Sequence, residues 1–224
     1  MSLSIIDQYL TLPGPSKGLY KEKGSKFISY ACPVISWDEA NQQIDQVRKD
    51  HPKARHHCFA YRLGAEGLDY RTYDDGEPSG TAGRPILGQI DSYGLSDVLV
   101  VVSRYFGGKL LGAAGLAVAY KLSAASALQQ SRPVIKKLKA FFQVEFEYEV
   151  MGTLMQSLAT HQASVYSQNF SAKPQLVFSL PLSFDEMDLD KIIASTLGCY
   201  TEEINGRRHM TNLSIKRLPT KPPD

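Results

Sequence analysis

Five consecutive apolar residues, Val98-Leu99-Val100-Val101-Val102, constrain this chain more than any other stretch. β-branched side chains favour extended backbone, and successive residues of a strand point to opposite faces. A strand that is apolar at every position has to be buried on both faces. A Gly-rich turn follows it. A helix over 112–130 comes next, crowded with Ala and Ser and so able to approach the sheet closely.

The residues around this strand have their own rhythm. Alternation over 18–34 predicts a strand, folded as a hairpin at Lys23-Gly24-Ser25. Ser36 with Glu39 three residues on is a capping-box pattern, and Trp37, Ala40, Ile44 and Val47 share the face of a helix over 37–49. His51-Pro52 ends it. Residues 56–63 read as a strand and 70–73 as a short one. Residues 74–83 hold too much Gly, Pro and Asp for regular structure, and Thr81 or Ser79 is the expected cap of a helix through Ile86, Leu87 and Ile90.

Beyond Arg132-Pro133 the composition changes. Of the 224 residues, 1–135 carry net charge +2, 136–206 carry −4 and 207–224 carry +4, which sum to the chain's +2. The acidic segment reads as a strand over 141–150, a helix over 151–160, strands over 163–170 and 174–182, a helix over 183–197 capped by Ser183 with Glu186, and a last strand over 199–204. That order, β-α-β-β-α-β, is the ferredoxin-like arrangement. The expected division is therefore an N-terminal domain over 1–134, a ferredoxin-like domain over 135–210 and a basic, Pro-containing tail over 211–224 that frays, an α+β fold in all.

Composition excludes several function classes. No run approaches the roughly 20 apolar residues of a membrane span, and the first residues lack the basic-then-apolar pattern of a secretory signal. Cys32, Cys58 and Cys199 are too few and too scattered for a disulfide scaffold or a zinc site. They read as small buried hydrophobes in a reducing cytoplasm. No metal or cofactor is expected, and the charge balance alone does not call for a nucleic-acid partner.

Two stretches can carry chemistry. In Asp74-Asp75-Gly76-Glu77-Pro78-Ser79-Gly80-Thr81-Ala82-Gly83-Arg84-Pro85, three carboxylates lie within four residues. They are able to hold Mg²⁺ through oxygen or to shape a turn with the Gly and Pro. In Ser103-Arg104-Tyr105-Phe106-Gly107-Gly108-Lys109-Leu110, a strand runs through a Gly-Gly turn into a helix start. Free N–H groups and the positive end of the helix dipole favour an anion there. It is no Walker loop, because Ser103 and Leu110 stand where that motif needs Gly and Ser or Thr. Arg84, Arg104, Gly107, Gly108 and Lys109 are the candidate phosphate or nucleic-acid contacts, with one Gly expected at positive φ. His56, His57 and Cys58 alternate across a strand, so neither a shared metal nor a Cys/His nucleophile fits them.

Arg55-His56-His57-Cys58, the 74–85 stretch and Val101-Val102-Ser103-Arg104-Tyr105-Phe106-Gly107-Gly108 together resemble the IMPACT family, formerly uncharacterised protein family 29, in its bacterial two-domain form. The likeness is strong over about 15–130. It implies a first domain of the ribosomal-protein-S5 domain-2-like fold and a second resembling the C-terminal domain of elongation factor G. It brings no catalytic residues. Members of the family read aliphatic then Lys after the Gly pair, whereas here Lys109 precedes Leu110, and Val118 stands where an Arg is frequent. The resemblance points to a non-enzymatic cytoplasmic protein linked to regulation of translation, with RNA, the ribosome or a translation factor as partner. Two other readings stay open: a small-molecule enzyme binding phosphate at the Gly turn with Mg²⁺ on the acidic loop, and a protein-docking module using the acidic second sheet.

Overall fold

The computed structural model describes residues 6–219. The fold is α+β and divides into two compact units, one spanning Gln8–Lys136 and the other taking the residues from Lys137 onward.

The first unit contains β1 (Gln8–Thr11), β2 (Ser16–Glu22), β3 (Ser25–Pro33), α1 (Trp37–Asp50), β4 (His56–Leu63), β5 (Asp69–Tyr73), α2 (Gly83–Ser92), β6 (Val98–Tyr105) and α3 (Gly112–Gln129). Its main sheet has the order β2-β3-β6-β4-β5, and each of these pairings is antiparallel. β6 is the central strand, and its apolar run is covered twice as expected. Val98, Val100 and Val102 pack with α2 and α3, while Leu99 and Val101 pack with α1. The small residues of α3 let it sit close to the sheet. Ser29 Oγ donates to the Ser123 carbonyl at 2.6 Å, and Ser123 Oγ donates to the Phe27 carbonyl at 3.0 Å. Ser36 caps α1, accepting from the Glu39 N–H at 3.2 Å. β1 pairs with β7 (Val134–Lys137) in a small sheet of its own; four-residue strands carry too little alternation to be read from sequence.

The second unit runs through β8 (Lys139–Phe146), α4 (Met151–Thr160), β9 (Ser164–Asn169), β10 (Gln175–Pro181), α5 (Glu186–Leu197), α6 (Thr201–Ile204), β11 (His209–Met210) and β12 (Leu213–Leu218). Its sheet has the order β11-β12-β8-β10-β9, antiparallel throughout. Phe142, Val144, Phe178, Leu154, Ile192 and Ile193 are among its core.

Three expectations about this half need correction. Residues 201–204, expected as strand, form the short helix α6, because Glu203 turns back to accept from the Tyr200 N–H at 3.0 Å. The last strand lies instead in the stretch expected to fray: β12 pairs with β8 along Leu213↔Phe146 and Ile215↔Val144 and buries Leu213 and Ile215. The basic residues Lys216 and Arg217 between them and the prolines hid that alternation. Finally, α5 is capped by Asp185 with Asp188 as its box partner, rather than by Ser183 with Glu186. A carboxylate at that position also meets the positive end of the helix dipole.

Candidate functional site

The acidic loop folds around Asp74. Its carboxylate accepts backbone N–H bonds from Gly80 at 2.8 Å, Ala82 at 3.0 Å and Gly83 at 2.8 Å. It thereby caps α2 from eight residues upstream of the N-cap Ala82, which has no side-chain cap of its own. Thr81, an expected cap, donates instead to the Pro78 carbonyl at 2.6 Å. Burial pushes the Asp74 carboxyl upward, but the three N–H donors and nearby Arg84 outweigh it and hold the group below the usual carboxylate range.

The other two carboxylates go elsewhere. Asp75 accepts the His57 N–H at 2.6 Å. Glu77 is buried, and its Oε1 accepts from Arg104 Nη1 at 2.5 Å and from the Tyr120 hydroxyl at 2.7 Å. The three acids that a Mg²⁺ site would share each bond to separate partners. Among the described residues, no group of three or more His, Cys, Asp or Glu is placed to hold a metal ion.

The histidines and the cysteine separate as their alternation predicts. His57 turns to the α1 face, where its Nδ1 lies 2.9 Å from Ser103 Oγ, and burial lowers its pKa. Cys58 turns to the α3 face, 3.0 Å from the Asp74 carbonyl oxygen and 3.3 Å from the Tyr120 hydroxyl. Burial pushes its thiol far above the ordinary range, so it is no thiolate nucleophile.

The glycine turn is built by two different constraints. Gly107 sits against the β2–β3 hairpin so closely that a Cβ would stand 2.0 Å from the Gly24 carbonyl carbon, while its N–H donates to Ser25 Oγ at 3.1 Å. Gly108 has open space around it but adopts φ +82°, a conformation that costs a side-chain-bearing residue roughly 1 kcal/mol or more.

Beyond the turn, α3 begins with N-cap Leu111, which makes no side-chain capping bond. Its first N–H groups therefore lack the acceptor that a side-chain cap would supply. Gly112 and Ala113 of this first turn line a cavity of about 390 Å³. Gly76, Glu77 and Pro78 of the acidic loop form one side, and Phe106 with residues Leu110 to Ala113 of the turn form another. Arg55, His56 and Arg104 complete the polar lining. The two stretches singled out in the sequence therefore face one hollow.

The candidate cations are distributed unevenly around it. Arg104 lines the cavity but is buried and paired with Glu77; its Nε is buried with no hydrogen-bond partner. Lys109 and Arg84 are exposed and do not line it. Arg55 and His56, which sequence reasoning passed over as site residues, do. Their only signal was their place in the Arg55–Cys58 motif. His56 Nδ1 donates to the Asp75 carbonyl at 2.7 Å, which ties the strand to the acidic loop.

Comparison with known proteins bears on the same stretches. Residues 23–128 match the Impact N-terminal domain. An IMPACT family member from Haemophilus influenzae is 32% identical over 195 residues, covering 86% of this chain and 91% of the relative. The IMPACT family member YigZ of Escherichia coli is 32% identical over 178 residues, covering 79% and 87%. A crystal structure described as that of a hypothetical protein superposes with TM-score 0.62 at 27% identity, covering 97% of this chain and 99% of the other.

Proposed function

The chain belongs to the IMPACT family, and from that premise we propose that it is a non-enzymatic cytoplasmic binding protein of the translation apparatus that grips RNA phosphates at the cavity beside α3. The observation that carries this reading is the convergence of the 74–85 loop and the Gly107 turn on one hollow at an uncapped helix N-terminus, with Arg55 and Arg104 on its wall. Backbone N–H groups at such an end suit a phosphate oxygen, and guanidinium groups add planar donors. The β-α-β-β-α-β connection of the second unit supports a ferredoxin-like fold akin to the C-terminal domain of elongation factor G. The first unit is read as the ribosomal-protein-S5 domain-2-like partner module. No helix among the described residues is long and apolar enough to cross a membrane.

With few cations at the site, binding is weak and salt-sensitive. Filter binding of ribosomal RNA across a salt series tests this, each neutralised phosphate contributing a log–log slope of about −0.7 to −0.9. Arg55→Ala lowers the magnitude of the slope by about one contact. Absence of binding at low salt, or binding indifferent to salt, overturns the RNA reading; ribosome association that survives nuclease treatment would point to a protein partner instead.

A further inference from the structure

We propose that the cavity seats a single unstacked nucleotide, its phosphate at the N-terminus of α3 beside Arg55 and Arg104 and its base against Phe106 and Leu110. This deepens the RNA reading and rests on it for the source of the nucleotide, but not for the chemistry of the seat.

The hollow is lined by two kinds of group. One is polar: the uncapped first turn of α3, Arg55, His56 and the Arg104 guanidinium. Arg104 is the decisive group, because it lines the hollow, its side chain is only 7% exposed, and Glu77 engages it through Nη1. A guanidinium carries five N–H donors in a planar fork, so one contact to Glu77 leaves it capacity for a second acceptor. Glu77 is the one carboxylate in the lining, and its charge is offset by Arg104, so the net positive charge of the lining comes from Arg55. His56 donates through Nδ1 to a carbonyl, so Nε2 of the neutral ring is an acceptor, suited to a ribose hydroxyl or a base N–H and not to the phosphate.

The rest of the lining is apolar and exposed to solvent. Phe106 is 45% exposed and Leu110 is 85% exposed, beside half-buried Leu111 and buried Leu116. A site that held only a phosphodiester would have no use for them. A nucleotide needs both halves: an anion at one end and a flat ring that stacks on an aromatic side chain at the other. Arg104 holds Phe106 from beneath, its guanidinium carbon 5.7 Å from the ring centroid. The volume, about 390 Å³, falls within the roughly 300–1,000 Å³ of clefts that take small ligands. A base seated this way cannot be stacked in a duplex, so the seat selects single strands.

The test is fluorescence anisotropy of the full-length protein with a labelled single-stranded oligoribonucleotide at low salt. Adenosine monophosphate, inorganic phosphate and a duplex RNA of the same length serve as competitors. The seat predicts that the monophosphate displaces the strand better than inorganic phosphate, and that the duplex competes worse than the strand. Phe106→Ala and, separately, Leu110→Ala weaken single-strand binding, the former by roughly tenfold, with duplex binding unchanged. Both side chains lie at the surface, and matching thermal melts establish that the variants fold. If duplex binds as well as single strand, or both variants bind the strand like the parent, the seat is wrong while the RNA reading stands. If the monophosphate binds and no RNA does, the seat stands and the RNA reading falls. If nothing binds, both fall.

Discussion

Asp74 is the residue on which the acidic loop turns, since one carboxylate satisfies three N–H groups at the start of α2. Asp74→Asn keeps the shape but loses acceptor capacity and charge, and destabilises the protein by about 2 kcal/mol at neutral pH. The folded-state pKa of Asp74 is depressed, as is that of buried Asp97, where Lys136, Tyr9 and Gly64 outweigh burial. Their contribution is therefore fully present above the ordinary carboxylate pKa and lost as pH falls through the depressed value. Melting temperature followed from neutral pH downward should drop below about pH 4, and the drop should be shallower in Asp74→Asn. Equal pH profiles would remove Asp74 from the account. Glu77 makes the opposite kind of case. Glu77→Leu alone strands the Arg104 charge and costs about 3–5 kcal/mol, while Glu77→Leu with Arg104→Met recovers most of it. The double variant should nonetheless lose RNA binding, which separates the guanidinium's part in the site from its part in stability; urea denaturation and anisotropy on the same samples read both.

At the scale of elements, β12 shows how a strand can be present and hard to see. Leu213 and Ile215 pair with β8 inside the sheet, yet they sit among cations and shortly before prolines in a stretch that reads as tail. Truncation after residue 212 should therefore melt the second unit's cooperative transition, not merely trim it, because Phe146 and Val144 lose their cross-strand partners. Calorimetry showing an unchanged transition would contradict the pairing. The contrast with β6 is physical: five apolar residues in a row allow one answer, whereas two buried residues in a six-residue strand allow several. α1 was legible because Ser36 lies next to the helix that it caps. The start of α2 was not, because its cap is Asp74, a contact that no local window contains.

For the whole molecule, the sequence marked both stretches of the candidate site but not that they meet. Convergence of the acidic loop and the glycine turn depends on β4 lying beside β6, with α3 returning over the same face, and these are long-range pairings. The same pairings carry Arg55 and His56 into the site, and they turn Arg104 from a free phosphate contact into a buried, half-satisfied one. Lys109, the most visible cation in the sequence, ends up outside the hollow. The central claim, that RNA is gripped at this hollow, is tested most directly by amide chemical-shift mapping of the isotope-labelled protein titrated with single-stranded RNA at low salt. The account predicts shifts concentrated at residues 76–77 and 106–113 and at Arg55 and His56, reversed by added salt. Shifts confined to the second unit, or none at any RNA concentration reached, would contradict it.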